Sequence, residues 1–166
     1  QYEHRHHANS CRWQLAEVYV HSGDYHAAYE MAGLTMAEAA AIGLQNHRGQ
    51  ALRSWGMVAT VWTHPTEALN SLEEGVGIYR TIRQQRILAY GQVFLAYGYY
   101  RAGARERMAE VLTAALNWAM EHPSVETPTA ALPLTALLHA DAGRLERAVE
   151  LHALAWRYPR IANSRW

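Results

Sequence analysis

Three side chains near the start of the sequence have the types and the spacing to bind a metal ion. His4, His7 and Cys11 are spaced i, i+3 and i+7, so they would share one face of a helix. Imidazole nitrogen and thiolate sulfur are preferred zinc ligands, and a fourth ligand from elsewhere would complete the site. The alternative is that the histidines lie in a frayed first turn and that Cys11 is a small buried residue. The second interpretation is favoured, so we expect no metal site and no cofactor.

No other residues have the arrangement of a catalytic site. Ser54, His64 and Glu67 are close in sequence but lack the strand–turn–helix context of an activated serine. Residues 73–80, "EEGVGIYR", lack the lysine of a phosphate-binding loop and follow no strand. The sequence therefore predicts a protein that is not an enzyme and does not hydrolyse nucleotide.

The composition excludes two classes of partner. Of the 166 residues, 50% are hydrophobic and 18% are charged, which is typical of a globular chain. The 15 basic residues balance the 15 acidic ones, whereas nucleic-acid-binding domains usually have a basic excess. No apolar run reaches the ~20 residues that span a bilayer, and one cysteine fits a reducing compartment. We expect a cytoplasmic protein that binds neither nucleic acid nor membrane, and, because it begins with Gln1, a fragment of a longer one.

A short motif recurs every 40 residues. "HSGDYHAA", "RAGARERM" and "DAGRLERA" place a glycine after an apolar pattern of helical period, at Gly23, Gly103 and Gly143, and Thr63 takes this position in the second copy. Recurrence at a period of about 20–50 residues indicates a solenoid. We expect each glycine to have a left-handed backbone conformation, with positive φ, in the turn between two helices. In the second copy the helix would instead start at Pro65, because proline is tolerated in a first helical turn.

Small residues accompany these turns and indicate closely packed helix pairs. They lie seven positions before each turn and five positions after it, at Ala16, Gly56, Ala96 and Ala136 and at Ala28, Ala68 and Ala148, with Met108 the exception. Two antiparallel helices approach closely only where bulky side chains are absent. The sequence predicts one all-α array over residues 1–166, an α-solenoid of about four antiparallel hairpins. The units are approximately residues 3–43, 44–83, 84–123 and 124–160.

The pattern resembles the tetratricopeptide repeat. The first unit matches its consensus at Leu15, Ala16, Tyr19, Gly23, Asp24, Tyr25 and Ala28. A period of 40 instead of the usual 34 is similar to the long C-terminal arrays of bacterial STAND-type NTPase and transcriptional regulators related to the maltose-operon activator. The resemblance implies a right-handed superhelix that acts as the protein-interaction or ligand-sensing arm of such a signalling regulator. A purely architectural spacer is the alternative.

The resemblance also implies where a partner would bind. Tetratricopeptide arrays present the first helix of each pair on a concave face, which here carries Trp13, Glu17, His21, Arg53, Met57, Tyr90, Tyr97, Tyr100, Arg101 and Asp141. Tyr90, Tyr97 and Arg101 fall on one helical face, and both residue types are enriched in binding hot spots. These tyrosines either bind a partner or pack on neighbouring helices. A protein or peptide partner is expected, and so is self-association of the fragment through its apolar end faces.

Overall fold

The computed structural model describes residues 2–62 and 65–166, which form helices and no strands. The helices are α1 (Tyr2–Ser22), α2 (Tyr25–Ile42), α3 (Gln45–Trp62), α4 (Pro65–Thr81), α5 (Gln85–Arg101), α6 (Arg105–Glu121), α7 (Glu126–Asp141), α8 (Leu145–Ala155) and α9 (Pro159–Ala162). The predicted all-α solenoid is confirmed. α4 begins at Pro65, and the predicted turn residue Thr63 lies outside the described residues. Within the described ranges, no helix is long and apolar enough to cross a membrane.

The helices pack as consecutive hairpins, α1 with α2, α3 with α4, α5 with α6 and α7 with α8. Each second helix also contacts the first helix of the next hairpin. The first helices touch one another in the series α1, α3, α5 and α7, whereas the second helices make no comparable contacts with one another among the described residues. The first helices therefore lie on the inner side of the array.

The turn glycines have the predicted conformation. Gly23, Gly103 and Gly143 have φ of 84°, 74° and 73°, a region that glycine enters without the steric cost of a Cβ. In each turn the residue after the glycine donates its N–H to the carbonyl five residues earlier, as Asp24 does to Tyr19 over 3.0 Å. This bond satisfies a carbonyl at the end of the helix.

The predicted unit boundaries place turns near residues 43, 83 and 123, but the backbone conformation of these turns was not predicted. Gly43 and Arg83, which are 40 residues apart, both have positive φ, at 72° and 55°. For a non-glycine residue this conformation costs about 1–2 kcal/mol. The next equivalent position is Pro123, and there His122 is extended with φ −129°. Because three different residue types occupy the position, the sequence gives no recurring signal for it.

The small residues do mark close helix contacts. A Cβ added to Gly56 would lie 2.5 Å from Leu72 Cγ and 3.2 Å from the carbonyl oxygen of Ala68. Ala16 and Ala28, at the equivalent positions of the first hairpin, are fully buried. The α3–α4 crossing therefore requires glycine on one helix and a small residue on the other.

Candidate functional site

The inner helices line an open cavity of about 790 Å³, here called the inner cavity. Its remaining wall is formed by residues 158–166, here called the returning segment, which contains α9 and folds back across the inner face. The cavity is lined by His21, Thr60, Val61, Tyr90, Phe94, Tyr97, Tyr100, Arg101, Val125, Glu126, Thr129, Ala130, Pro133, Leu137, Tyr158, Pro159, Arg160, Ile161, Ser164 and Trp166. This volume lies within the range of about 300–1,000 Å³ that is usual for ligand sites.

A buried ion pair joins the first two inner helices beside the cavity. Arg53 on α3 donates from Nη2 to Glu17 Oε2 on α1 over 3.0 Å, and the two side chains are only 4% and 13% exposed. The Arg53 guanidinium carbon also lies 4.8 Å from the ring centroid of Tyr90 and 5.6 Å from that of Phe94, a cation–π arrangement. α1, α3 and α5 are thus linked through one arginine.

The electrostatics of Glu17 follow from this pair. Burial alone would raise the pKa of Glu17, but the guanidinium groups of Arg53 and Arg160 outweigh burial, so the pKa lies below its ordinary value. The pKa of His21, one helical turn further along α1, is lowered by burial and by Arg160. The inner face therefore favours an ionised carboxylate beside a neutral imidazole.

The returning segment binds α1 through side-chain and backbone groups. Arg160 donates to Glu17 Oε1, and its guanidinium carbon lies 5.4 Å from the ring centroid of Tyr90. Ser164 Oγ lies 2.8 Å from His21 Nδ1. The backbone N–H of Arg165 donates to the carbonyl oxygen of His21 over 2.8 Å.

Trp166 binds between α3 and α5. Its indole Nε1 donates to the carbonyl oxygen of Met57 over 2.9 Å. Its ring centroid lies 5.5 Å from that of Phe94 and 4.7 Å from that of Tyr97, the latter in an edge-to-face arrangement. The indole therefore has both an apolar contact surface and a hydrogen-bond acceptor.

The tyrosines of the predicted site also pack within the array. Tyr97 donates its hydroxyl to the carbonyl oxygen of Ala130 over 3.2 Å, which joins α5 to α7. Burial raises the pKa of Tyr90 to about 12, although Arg53 acts in the opposite direction. Tyr100 is half-buried beneath the guanidinium of Arg105, 4.1 Å from its ring centroid. Their participation in binding stays a prediction.

The structure divides the predicted site residues into three groups. Around the inner cavity it brings together His21, Tyr90, Tyr97, Tyr100 and Arg101. Beside the returning segment lie Glu17, Arg53 and Met57. Outside both lie Trp13 and Asp141; Trp13 is half-buried on α1, and Asp141 forms an exposed ion pair with Arg105 at 2.9 Å.

The wall residues on the returning segment were missed by sequence reasoning. Tyr158, Ile161 and Trp166 line the cavity, but most of the segment lies beyond residue 160, where the last predicted unit ends, and the repeat gives no position for it. The available signal was the presence of Tyr158, Ile161 and Trp166 around Pro159, since large apolar and aromatic residues are usually buried at least in part.

The metal hypothesis finds no support in the side-chain arrangement. Within residues 2–62 and 65–166, no three His, Cys, Asp or Glu side chains are placed to hold a metal ion. The expectation that Cys11 is a small buried residue is wrong, because Cys11 is exposed, whereas the equivalent Ala51 and Ala131 are buried. No described helix covers the face of α1 that carries Cys11 and the exposed Leu15 and Val18.

The consecutive hairpins, with their first helices in contact along one side, define a helical repeat array with a tetratricopeptide-like fold. The chain is similar to a solved structure described as a Rap protein complexed with Competence and Sporulation Factor, with a TM-score of 0.77 and 17% identity. The match covers 95% of this chain and 43% of the Rap chain, so this chain spans less than half of the Rap protein's length. No protein-family model and no curated protein matches the sequence. At this identity the likeness establishes the fold.

Proposed function

We propose that the chain is a protein-interaction scaffold whose inner cavity binds a peptide segment of a partner protein. One observation carries the proposal: the inner face already holds a stretch of polypeptide, the returning segment, beside an open cavity of about 790 Å³. The backbone bond from Arg165 to His21 and the indole bond from Trp166 to Met57 are the kinds of contact that a peptide ligand makes. The structural similarity to the Rap protein supports the proposal, because that protein was solved in complex with Competence and Sporulation Factor.

The charges around the cavity fit a peptide better than a polyanion. Among its lining residues Arg101 and Glu126 are of opposite sign, Arg160 is paired with Glu17, and most of the others are aromatic or aliphatic. Nucleic-acid recognition needs a basic stripe, and this cavity does not provide one. We propose that the chain acts by binding and carries out no chemistry, because the buried charges of the inner face are engaged with one another, as in the Arg53–Glu17 pair.

We further propose that the array is the sensing arm of a cytoplasmic bacterial regulator of the STAND type. The 40-residue period supports this assignment. The full-length polypeptide would then contain a nucleotide-binding loop with the pattern G-x-x-x-x-G-K-[ST] outside residues 1–166. Sequencing of the complete gene tests this, and a full-length protein without any NTPase module would contradict it.

Peptide selection followed by a matched pair of variants tests the binding function. Peptides selected from a random display library on the wild-type chain are measured by titration calorimetry on Leu137→Glu and Leu154→Glu. Leu137 lines the inner cavity, whereas Leu154 lies on α8 away from it, and the two side chains are similarly exposed, at 44% and 42%. A bound peptide would remove water from a carboxylate in the apolar wall, which is unfavourable. We therefore expect Leu137→Glu to weaken binding at least ~10-fold.

The control variant Leu154→Glu should bind with the wild-type affinity, and circular dichroism should show both variants folded. Selection that yields no binder, or binders whose affinity is the same for both variants, would contradict the proposal. The architectural spacer would then be the better description of the array.

A further inference from the structure

The returning segment is attached to the array as a ligand would be, not as a further repeat. It follows the last hairpin in sequence, yet its polar contacts reach the first two hairpins. The Arg160–Glu17 pair joins residues 143 positions apart, and the Trp166–Met57 bond joins residues 109 positions apart. α9 has four residues, too few to form a hairpin of its own. The contacts resemble those of a bound peptide tethered to its receptor.

One end of the segment occupies a site for a guanidinium group. Arg160 bonds to the Glu17 oxygen that Arg53 leaves free, and it also lies near the face of Tyr90. Because Arg53 remains bonded to the other oxygen, the buried carboxylate keeps a partner when Arg160 leaves. The guanidinium site can therefore open without leaving an unpaired buried charge, which is the costly outcome.

The other end occupies a site for an indole. Phe94 and Tyr97 supply the ring contacts, and the carbonyl oxygen of Met57 accepts the indole N–H. Aromatic contacts of this kind provide a large share of binding energy at interfaces. Between the two sites the segment makes its bonds to His21.

The inner cavity continues beside the segment towards α7. Tyr100, Val125 and Leu137 line this open part, so the segment fills only one side of the groove. A second polypeptide that extends along the whole groove would have to compete for the two occupied sites.

We propose that residues 158–166 are an internal ligand of the groove, and that the partner peptide displaces them by presenting an arginine and a tryptophan to the same two sites. In the internal ligand these residues are Arg160 and Trp166, six positions apart. The inference rests on the proposed function and adds the chemistry of the partner. An arginine- and tryptophan-containing peptide is the one occupant to which it commits.

A synthetic peptide of the segment, YPRIANSRW, tests the proposal when it is added to the full chain. Its receptor is the variant Arg160→Ala plus Trp166→Ala, which empties both sites. Binding is measured by fluorescence anisotropy of the labelled peptide. We expect binding to this receptor and at least ~10-fold weaker binding to the wild type, because a tethered competitor has an effective concentration near millimolar. Peptides with alanine in place of the arginine equivalent to Arg160 or of the tryptophan should lose most of their affinity.

The matched control receptor is Trp156→Ala plus Arg157→Ala. It removes the same two residue types from exposed positions just before the segment, so it should behave as the wild type does. If thermal unfolding shows that the double variant is not folded, Arg160→Ala alone serves as receptor, since Glu17 keeps its bond to Arg53.

Two results of the peptide titration would overturn the inference. One is that a folded receptor with emptied sites fails to bind the peptide; the other is that it binds no more tightly than the wild type does. In either case the segment is a fixed wall of the cavity. Library-selected peptides that lack arginine and tryptophan but lose affinity to Leu137→Glu would leave the proposed function standing while this inference fails.

Discussion

Arg53 Nη2 and Glu17 Oε2 lie 3.0 Å apart although the residues are 36 positions apart in sequence. Removal of the acid leaves a buried guanidinium without its counter-charge. Glu17→Gln should therefore lower the free energy of unfolding by about 3–5 kcal/mol, measured by urea denaturation. Glu150→Gln in the exposed Arg147–Glu150 pair is the control and should change it by less than about 1 kcal/mol. Equal effects of the two substitutions would contradict the role given to the buried pair.

The same pair predicts a dependence of stability on acid pH. The pKa of Glu17 in the folded protein is below its ordinary value of 4.5. The ionised carboxylate therefore contributes fully to folding stability above pH 4.5, and this contribution is lost as the pH falls through the folded-state pKa. Urea midpoints measured from pH 7 to pH 3 should fall more steeply below about pH 4.5 for the wild type than for Glu17→Gln. Parallel curves would show that Glu17 is not the group responsible.

The close approach of α3 and α4 at Gly56 predicts opposite effects of one substitution at two glycines. Gly56→Ala places a methyl group 2.5 Å from Leu72 Cγ, and we expect a loss of about 1–3 kcal/mol from overpacking. Gly77→Ala, within α4, meets no atom within 4 Å and should stabilise by about 0.5–1 kcal/mol through helix propensity. Thermal denaturation of both variants measures the difference, and stabilisation by Gly56→Ala would contradict the close crossing.

An exposed apolar stripe on α8 predicts self-association. Leu145 and Val149 lie one turn apart on this helix, and Trp156 follows two turns later; all three are exposed. We expect sedimentation velocity to show a dimer whose fraction rises with concentration and falls in Val149→Glu. Met120→Glu, at an exposed position of α6, is the control and should leave the dimer unchanged. A wild-type chain that stays monomeric at every concentration would contradict this prediction.

The fold could be predicted largely because its determinants recur. Gly23, Gly103 and Gly143 share one backbone requirement, and Gly56 lies where a close crossing excludes a side chain. The left-handed backbone of Arg83 could not be predicted, since nothing in an arginine indicates it; in this turn the N–H of Gln84 donates to the carbonyl oxygen of Tyr79 over 3.0 Å.

The candidate site could be predicted only in part. The i, i+7 spacing of Tyr90 and Tyr97 predicts that both lie on one face of a helix, and both line the inner cavity from α5, but periodicity cannot tell what else packs there. The returning segment fills that space with Trp166, which lies beyond the last predicted unit and has no counterpart in the repeat pattern. Cys11 was misassigned for a related reason, because equivalence between repeats assumes equivalent neighbours. Among the described residues, no preceding helix packs on α1 as α2 packs on α3 and α4 on α5.

Methyl NMR of the full chain, titrated with a selected peptide, tests most directly whether the inner cavity is the binding site. We expect the largest chemical-shift changes at Val125, Leu137 and Ile161, which line the cavity, and none at Leu34 and Met120, which are exposed on the second helices of their hairpins. Changes confined to Leu34 and Met120, with the cavity residues unaffected, would contradict the account.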